Sequence, residues 1–549
     1  MTSAGSFATP KGLTVGLSQL NPLVGDLLGN EGKILADYAK AQAAGCDVVV
    51  YPELTITGYP PEDLLLKKAF VRDNELAVQR IAARTKECAA LIGFVKADGD
   101  QLFNAVALCR NGSVQSVYLK QLLPNYAVFD EDRYFTPGPA MKDGVASGLF
   151  SLNDVTVGVT ICEDIWYADG PVAAQAASGA RIMLNLNASP FHEGKNVQRE
   201  QMLSTRAKET NSAIVYVNQV GAQDELVFDG SSVVVDCNGV IACRMKSFES
   251  DFAVVTIGGD ATVAATHVEP FASDLDRVYD ALVVGTRDYV HKNGFTDVVI
   301  GLSGGIDSSI VAAIAVDALG ADHVHGVAMP SRYSSQGSLD DAEKLATALG
   351  IDHRVVSIEP AFGAYLEMLE PSFTGRDPDL TEENLQSRVR GMTLMALSNK
   401  FGWMVLTTGN KSEMAVGYFT IYGDSAGGYA AIKDVFVDTR SIVEPAGALA
   451  VHGRVDVEVD GCYVAVVRFE GELHAFEDRC THDGESLAEA EVESDASAPC
   501  GVVVCPRHGA RFCLKSGAAL TPPAYEPLKV FAVREQDGRL QVRPSDTGA

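Results

Sequence analysis

Positive charge is scarce in this chain of 549 residues, which has 44 lysines and arginines against 72 aspartates and glutamates. The net charge of −28 repels phosphate backbones and anionic lipid headgroups. The sequence also lacks an uncharged apolar run of about 20 residues, the length that spans a bilayer. We therefore expect a protein with no nucleic-acid partner and no membrane contact.

A secretory signal is also missing, because MTSAGSFATPKGLTVGLSQL has no basic segment followed by an apolar one. We accordingly expect a cytoplasmic protein. The 11 cysteines are odd in number and mostly scattered, unlike a disulfide framework. Five of them crowd together near the C-terminus beside two histidines, which suggests a metal or cluster site there; they are Cys462, Cys480, Cys500, Cys505 and Cys513.

Three regions with different sequence patterns follow one another along the chain. From Leu13 to about Ile257, short runs of Val and Ile alternate with amphipathic stretches, which predicts a layered α/β domain. A second α/β pattern opens at DVVIGLSGGIDSSIVAAIAVDALG, where we expect parallel strands joined by crossover helices. After Phe436 a linker-like stretch leads into short strands and turns. The length alone predicts about three or four domains.

Three residues with catalytic chemistry end apolar runs in the first region. Cys162 follows VTVGVTI, Glu53 follows VVVYP, and Lys120 follows SVQSVYL. A buried structural thiol is the alternative interpretation of Cys162. If the three strands are adjacent, Glu53 could act as a general base and Lys120 could stabilise an oxyanion beside a nucleophilic Cys162.

These residues resemble the Glu-Lys-Cys triad of the nitrilase, or carbon-nitrogen hydrolase, superfamily. More narrowly, YPELTITGYPPEDLL, LPNYAVFDEDRYF and GVTICEDIW resemble the glutaminase domain of glutamine-dependent NAD synthetases. The resemblance implies an αββα sandwich in which Cys162 attacks the side-chain amide of glutamine, giving a thioester and ammonia. It also implies four glutamine-binding residues, for which surface or structural roles remain open: Tyr126, Glu131, Ser189 and Lys195.

A glycine-containing loop, SGGIDSS, opens the second region. It follows an apolar strand and begins a helix, so its N–H groups and hydroxyls can surround a pyrophosphate. The lysine of a Walker A loop and the spacing of a dinucleotide fingerprint are both absent. The loop resembles the PP-loop of ATP pyrophosphatases, which implies an ATP site formed by Ser303, Gly304, Gly305, Asp307, Ser308 and Ser309. The resemblance of later segments to NAD synthetases, given next, adds Arg332 and Thr408 to this ATP site.

ENLQSRVRG and TTGNKSEMAVGYFTIYGDSAGGYAAIKDVF resemble the doubly wound parallel α/β synthase domain of NAD synthetases. The resemblance implies that Arg388 and Asp424 contact deamido-NAD, a solvated helix charge being the alternative for Arg388. It also implies that Asp307 and Glu413 hold Mg²⁺, to which oxygen ligands are suited. The implied reaction is adenylation of the nicotinate carboxylate by ATP, followed by attack of ammonia from the first domain through an internal tunnel.

The resemblance ends at Phe436. NAD synthetases continue there with a lysine, further helices and a loop that complete the substrate site and the dimer contact. Here Val437 follows instead. We therefore expect a C-terminally truncated synthase domain.

Two short motifs near the C-terminus, CTHDG and CPRHG, each place one cysteine and one histidine on a loop that contains glycine. Such a set can bind zinc or a [2Fe–2S] cluster. The order of ligands resembles the Rieske pattern, which implies a small all-β domain with a cluster on Cys480, His482, Cys505 and His508. Ala510 and Phe512 offer the cluster sulfurs no hydroxyl, so we expect a low potential.

The predicted domains are residues 1–265, the glutaminase, and 266–436, the ATP-binding synthase, followed by a linker at 437–447 and the Rieske domain at 448–549. The leading hypothesis is a glutamine-hydrolysing NAD(+) synthetase with an appended electron-transfer module. Two alternatives are a Rieske electron carrier and a glutaminase with a different ammonia acceptor. A redox partner protein and a homo-oligomer are further expectations.

Overall fold

The computed structural model describes residues 12–142, 144–435, 442–445, 454–459, 462–469, 471–481, 487, 490–495, 498–506, 509–536 and 539–544. The chain forms two compact units, Met1–Lys433 and Asp434–Ala549. Within the described ranges, no helix has the length and apolar character needed to cross a bilayer.

The first part of the larger unit contains sixteen strands and four α-helices in its described residues. The strands are β1 Leu13–Gln19, β2 Val48–Val50, β3 Ala89–Asp98, β4 Gln101–Arg110, β5 Ser113–Leu119, β6 Met141–Lys142, β7 Val145–Ala146, β8 Leu149–Leu152, β9 Val155–Ile161, β10 Ile182–Asn187, β11 Ala213–Asn218, β12 Val220–Gln223, β13 Leu226–Asp229, β14 Val233–Val235, β15 Ile241–Arg244 and β16 Asp251–Ile257. The α-helices are α1 Leu27–Ala43, α2 Lys68–Ala82, α3 Pro171–Ala177 and α4 Lys195–Thr210; Glu62–Leu66, Glu131–Arg133 and Cys162–Ile165 are short 3₁₀ helices.

Two six-stranded sheets form this part. Their orders are β16-β1-β2-β3-β4-β5 and β15-β14-β11-β10-β9-β8, and each sheet has a parallel centre and antiparallel edges. Their facing residues, among them Leu17, Val50, Val159 and Leu184, form one buried cluster. Strands buried on both faces read as continuous apolar runs, which is why alternation is weak here.

Helices cover the outer faces of both sheets. Tyr38 of α1 and Ile81 of α2 pack on the first sheet, and Leu203 of α4 packs on the second. The result is four layers, helix-sheet-sheet-helix, which confirms the predicted αββα sandwich.

The second part of the larger unit has one five-stranded sheet. Its elements are α5 Asp274–Lys292, β17 Val298–Gly301, α6 Ile306–Leu319, β18 Val324–Ala328, α7 Gln336–Leu349, β19 Asp352–Val355, α8 Glu359–Leu369, α9 Leu380–Phe401, β20 Met404–Thr407, α10 Lys411–Val416 and β21 Tyr429–Ala430, with a 3₁₀ turn at Ala321–His323. The order β19-β18-β17-β20-β21 is parallel throughout, as predicted. The direction of winding reverses between β17 and β20, the place where open α/β sheets bind ligands.

Helix α5 joins the two parts of this unit. The Lys292 ammonium donates to the Asn21 amide oxygen and to the Ala222 carbonyl, both at 2.7 Å. The Arg277 guanidinium donates to the buried Asp229 carboxylate at 3.0 Å. Residues on both sides of the contact are buried and charged, so α5 is fixed against the sandwich.

The smaller unit is all-β within the residues described, as predicted. Its strands are β22 Ile442–Pro445, β23 Arg454–Val459, β24 Cys462–Phe469, β25 Glu472–Glu477, β26 Glu491–Asp495, β27 Ala498–Val504, β28 Arg511–Cys513, β29 Val530–Gln536 and β30 Arg539–Pro544. They form antiparallel sheets ordered β22-β30-β29-β25-β24-β23 and β26-β27-β28. Ala465 and Phe476 of the larger sheet share a core with Val503 and Phe512 of the smaller one.

Candidate active site

A buried cluster of charge lies at one edge of the sandwich. The Lys120 ammonium lies 2.7 Å from Glu53 Oε1 and 2.8 Å from Glu131 Oε1, and the side chains of Lys120 and Glu53 have no exposed surface. Burial works against the ammonium, but the two carboxylates outweigh it and raise the pKa of Lys120. Burial also raises the pKa of Glu131, against the lowering effect of Lys120. The lysine is therefore held as a cation between two carboxyl groups.

The strands that carry these residues are not neighbours, which corrects the expectation of three adjacent strands. Glu53 follows β2 and Lys120 follows β5, with β3 and β4 between them, and Cys162 follows β9 in the facing sheet. β5 is antiparallel to β4, β4 is antiparallel to β3, and β3 is parallel to β2. β5 therefore runs in the same direction as β2, and their carboxyl ends meet at one edge.

Three further groups hold the carboxylates in place. The Asn104 amide donates to Glu53 Oε1 at 2.7 Å, and the Ala188 N–H donates to Glu53 Oε2 at 3.1 Å. The Tyr59 hydroxyl donates to Glu131 Oε1 at 3.0 Å. Glu53 Oε1 is thus shared between Lys120 and Asn104. In the part of the chain that the structure describes, Oε2 has a single donor and keeps lone-pair capacity for a proton.

Cys162 lies on a sharp turn directly after β9. Its φ of +41° is unusual for a residue with a side chain, and it begins the 3₁₀ turn Cys162–Ile165. Burial raises the pKa of this thiol, as do the charges of Glu53 and Glu131, while Lys120 lowers it. The resting sulfur is therefore a thiol that needs a base beside it.

Asp164 fixes the turn that carries Cys162. Its carboxylate accepts the N–H of Ile161 at 3.0 Å and the N–H of Leu122 at 2.9 Å. It also accepts the Tyr118 hydroxyl at 2.8 Å. Burial raises the pKa of Asp164 to about 6, although these hydrogen bonds lower it. One carboxylate thus ties the cysteine turn to the segment after Lys120.

The other predicted glutamine-binding residues surround the same turn. The Tyr126 hydroxyl donates to Glu163 at 3.0 Å, and the Tyr126 side chain is exposed. The Lys195 ammonium lies 4.2 Å from the centre of the Trp166 ring, and burial, followed by the charge of Arg199, lowers its pKa. Ser189 is buried after β10, with its N–H donating to the Asn218 amide oxygen at 2.9 Å.

The predicted ATP loop follows β17 at the reversal point of the second sheet. The Gly305 N–H donates to the Ser303 hydroxyl, and the Ser308 hydroxyl donates to the Gly305 carbonyl, both at 3.1 Å. The Ser309 hydroxyl reaches the same carbonyl at 2.8 Å. Gly304 has a φ of +80°, and a Cβ there would lie 2.4 Å from the Ser338 carbonyl oxygen, so only glycine fits. The loop can present its N–H groups at the start of α6.

The two predicted metal-binding carboxylates belong to different helices. Asp307 lies at the start of α6, and Glu413 lies in α10, which follows β20. Asn410 caps α10 by accepting the Glu413 N–H at 3.0 Å, and its amide reaches Asp307 at 3.5 Å. Burial raises the pKa of Asp307. The pKa of Glu413 is raised by burial and also by the negative charges of Asp307 and Asp424. The described residues contain no group of three or more potential metal-binding side chains. Two mutually repelling carboxylates fit a cation that takes its other ligands from phosphate and water.

We call the remaining residues predicted to contact ATP or deamido-NAD the rim of this site; they are Arg332, Thr408, Arg388 and Asp424. Exposed Arg332 pairs with Glu359, its Nε lying 2.7 Å from the carboxylate. Thr408 is half-buried after β20. The structure brings Arg388 and Asp424 into one neighbourhood, since Arg388 donates to the Ile421 carbonyl at 3.2 Å and the Thr420 N–H donates to Asp424 at 2.7 Å.

The two predicted cluster cysteines lie in one buried core of the smaller unit. Cys480 follows β25 and Cys505 follows β27, and both are almost fully buried. The Gly509 N–H donates to the Cys505 carbonyl at 2.9 Å. Two buried cysteines that follow strands fit the thiolate half of the predicted ligand set. His482 and His508 lie outside the described residues.

Comparison with known proteins agrees with this arrangement. The carbon-nitrogen hydrolase family matches residues 14–265 and the NAD synthase family matches residues 278–451. A glutamine-dependent NAD(+) synthetase of Thermotoga maritima is 46% identical over 462 residues, covering 78% of this chain and 79% of that protein. The chain belongs to the glutamine-dependent NAD(+) synthetase family.

Other members of the glutamine-dependent NAD(+) synthetase family match over a similar span. A Rhodobacter capsulatus relative is 46% identical over 425 residues, covering 76% of each chain. A solved Acinetobacter baumannii synthetase in complex with ADP superposes with a TM-score of 0.73 at 41% identity, covering 78% of this chain and 80% of that one. One from Cytophaga hutchinsonii gives a TM-score of 0.69 at 25% identity, with the same coverage.

This family member has an additional domain. The Rieske [2Fe–2S] domain family matches residues 441–532, overlapping the end of the NAD synthase match. Rieske domains bind a [2Fe–2S] cluster and NAD synthases use ATP, so the two matches imply both for this chain.

Sequence reasoning missed several residues that shape the glutaminase site. Asn104 lies inside β4, and Tyr59 lies in the loop after β2. In the sequence, Asp164 is one of the acidic residues directly after Cys162, and nothing there indicates its hydrogen bonds. The hydrogen bonds from Asn104 to Glu53 and from Leu122 to Asp164 span 51 and 42 residues, so no local pattern announces them. A polar residue within an otherwise apolar strand, such as Asn104 in LFNAVALCR, is the one signal available.

Proposed function

We propose that this chain synthesises NAD(+) from deamido-NAD and ATP, using ammonia released from glutamine, with Glu53, Lys120 and Cys162 as the glutaminase triad. The observation that carries the proposal is the fully buried Lys120 between Glu53 and Glu131, beside a cysteine on a positive-φ turn. Burying three ionisable groups is costly for stability. Because this cost brings no gain in stability, we infer that the three buried charges are present for catalysis.

In the glutaminase half, the Cys162 sulfur attacks the side-chain amide carbon of glutamine. Glu53 accepts the thiol proton and transfers it to the departing ammonia, leaving a thioester. Water, deprotonated by the same carboxylate, then releases glutamate and restores the thiol. Among the described residues, Glu53 Oε2 accepts only the Ala188 N–H, and it is therefore the oxygen that we assign to these proton transfers.

Lys120 provides positive charge where the oxyanion develops, without a proton transfer. Its contacts with Glu53 and Glu131 keep the ammonium fixed, so little reorganisation is needed during the reaction. Tyr126, Ser189 and Lys195, around the cysteine turn, would bind the α-amino and α-carboxylate groups of glutamine.

In the synthase half, the nicotinate carboxylate of deamido-NAD attacks the α-phosphorus of ATP and pyrophosphate departs. Ammonia then attacks the acyl-adenylate, and AMP departs with formation of the amide. The predicted ATP set would bind the nucleotide, namely Ser303, Gly304, Gly305, Asp307, Ser308, Ser309, Arg332 and Thr408. Arg388 and Asp424 would contact deamido-NAD from the neighbouring rim.

Two inorganic groups belong to this proposal. Asp307 and Glu413 would hold Mg²⁺, which neutralises phosphate charge when bound. Cys480 and Cys505, with His482 and His508, would hold the [2Fe–2S] cluster, which supplies one-electron transfer. Ala510 and Phe512 are fully buried and carry no hydroxyl. The cluster potential is therefore expected to be low.

The proposed domain bounds are 1–265, 266–436 and 448–549, with a linker at 437–447 and a shortened synthase domain. We further propose a cytoplasmic enzyme, because Cys46, Cys88 and Cys109 are free buried thiols of the kind kept in reducing compartments. A redox partner protein for the cluster and a homo-oligomer complete the proposal.

The deciding experiment replaces Cys162 with alanine in the full-length holoprotein and measures NAD(+) formation with glutamine or with ammonium chloride. Loss of the nucleophile should lower glutamine-dependent synthesis by at least about 10³-fold and spare ammonia-dependent synthesis. Cys109→Ala is the matched control, since Cys109 is equally buried and lies within β4.

Each outcome has a distinct meaning. If neither nitrogen source supports NAD(+) formation in the unaltered protein while glutamate is still released, the synthase assignment is wrong and another ammonia acceptor is indicated. If C162A retains glutaminase activity, the triad assignment is wrong.

A further inference from the structure

Two cysteines of the smaller unit that have no assigned role lie on neighbouring strands. Cys500 lies in β27 and Cys513 ends β28, and Cys513 is directly paired with Val502. Cys500 precedes Val502 by two residues on β27, which makes it the diagonal neighbour of Cys513. The opposite face carries Val503 and Phe512, which point into the core.

The two sulfur atoms are close enough to react. They lie 3.1 Å apart, about 1 Å longer than a disulfide bond, and both side chains are half-buried. Gly501, between Cys500 and Val502, has a φ of +87° and receives the Leu514 N–H at 3.0 Å on its carbonyl. A Cβ at Gly501 would lie 2.7 Å from the Phe469 ring, so the chain takes a path here that only glycine permits.

The pair is separate from the predicted cluster ligands. Cys505 lies at the far end of β27, after Val504, and Cys480 follows β25 in the other sheet. Both are almost fully buried, whereas Cys500 and Cys513 are half-buried. A reagent in solution therefore reaches the pair more readily than the cluster cysteines.

The two thiols differ in acidity. Burial works against a thiolate at Cys513, but hydrogen bonds from the Ser516 hydroxyl, from Cys500 and from nearby N–H groups outweigh it and lower its pKa to about 7. Burial and the hydrogen bond with Cys513 raise the pKa of Cys500. One sulfur is thus suited to attack first, and the other to attack second.

We propose that Cys500 and Cys513 form a reversible dithiol-disulfide pair, a redox-responsive site of the smaller unit that reacts with small-molecule disulfides of the glutathione type. The Cys513 thiolate attacks one sulfur of the oxidised reagent, forming a mixed disulfide and expelling one reagent thiolate. The Cys500 sulfur then attacks Cys513 in the mixed disulfide, loses its proton to the solvent and expels the second thiolate. Two protein thiols are oxidised and one reagent disulfide is reduced to two thiols.

The test uses the full-length holoprotein equilibrated in a series of reduced and oxidised glutathione mixtures. Samples are quenched with acid, alkylated, digested and analysed by mass spectrometry, while the visible absorbance of the cluster is recorded. We expect both cysteines to be alkylated under reducing conditions. Under oxidising conditions the peptides containing Cys500 and Cys513 should be joined, with the cluster absorbance retained.

Single variants separate the two steps. In Cys500→Ser the mixed disulfide with glutathione should persist on Cys513, because the second thiol is missing. In Cys513→Ser the reaction of Cys500 should be about tenfold slower, because less of it is thiolate at neutral pH. Cys237→Ser is the matched control, since Cys237 is a half-buried thiol of the larger unit, and it should leave the crosslink unchanged.

Three results would overturn the proposal. Full alkylation of both cysteines at the oxidising end is one. A disulfide that joins either residue to a different cysteine is another. The third is a crosslink that appears only as the cluster absorbance disappears, since it would report loss of the cluster rather than a site of its own.

Discussion

The glutaminase site and the synthase site of this chain are built on opposite principles. In the first, Lys120 and Glu53 have no exposed side-chain surface and every charge has a partner within the protein. In the second, the Arg332 side chain is 50% exposed and that of its partner Glu359 is 33% exposed. The first site is complete before substrate arrives, whereas the second leaves the charge of Arg332 at the surface.

The difference follows from what each site binds. Glutamine is small and its amide is unreactive, so the charges that promote attack must be fixed and shielded from water. ATP and deamido-NAD bring phosphate charges and large surfaces of their own, and these organise exposed arginines on arrival. Substitutions should therefore cost stability in the first site and substrate binding in the second.

Replacing Lys120 with methionine should have the largest effect. It leaves Glu53 and Glu131 buried without a countercharge, so we expect a loss of about 3–5 kcal/mol in the free energy of unfolding. Glutaminase activity should fall by at least about 10³-fold, measured as glutamate release. Lys96→Met, which removes a partly exposed pair with Glu75, should cost less than about 1 kcal/mol. A K120M protein as stable as K96M would contradict the comparison.

Replacing Asn104 with leucine removes its hydrogen bond to Glu53 Oε1, beside the Lys120 ammonium. Because such bonds are worth about 1.5–3 kcal/mol, the kcat of glutamine hydrolysis should fall by roughly 10–100-fold, with little change in KM. Ammonia-dependent synthesis should be unaffected. Asn74→Leu is the control, because Asn74 is equally buried but donates to the Val95 carbonyl, away from the triad. Equal losses of kcat in N104L and N74L would show that Asn104 acts only through general stability.

The pH dependence of stability should report Asp164. Its folded-state pKa of about 6 lies above the unfolded value of about 3.9. The folded protein therefore binds this proton more tightly, and stability contributed by Asp164 is lost as pH rises from about 4 to 6, by up to about 1.4 kcal/mol per pH unit. Asp164→Asn should remove that slope in chemical denaturation measured at several pH values. An unchanged slope would contradict the assignment.

Replacing Arg332 with methionine should have the smallest effect on the fold. Its pair with Glu359 is exposed, so we expect no measurable shift in Tm. The KM for ATP should rise by about tenfold, with glutaminase activity unchanged. If R332M were destabilised as much as K120M, the two sites would not differ in their contribution to stability, and the comparison would be wrong.

Local patterns were sufficient for part of this architecture. Apolar runs that end in Glu53, Lys120 and Cys162 placed three reactive groups at strand ends. SGGIDSS predicted a glycine-containing turn between a strand and a helix, and the structure has this turn between β17 and α6, because backbone geometry within seven residues dictates its glycine positions. An Asn-Gly pair is typical of a two-residue hairpin turn, and Asn111 and Gly112 both adopt positive φ between β4 and β5.

Strand order was beyond local reasoning. The expectation of adjacent strands for the triad failed because β3 and β4 separate β2 from β5, and β9 belongs to the facing sheet. Pairing across a sheet depends on contacts between residues far apart in the chain, which no periodicity records. The roles of Asn104 and Asp164 were hidden for the same reason, since their partners lie 51 and 42 residues away.

The contact made by helix α5 has an evolutionary consequence. Asp229, at the end of β13, is fully buried and bonded to Arg199 from one side and to Arg277 of α5 from the other. A gene split between residues 265 and 274 would leave this carboxylate with half its countercharge and open the surrounding apolar surface to water. We therefore expect a split at that point to destabilise both parts. The two enzymatic parts are expected to be inherited together, as one module.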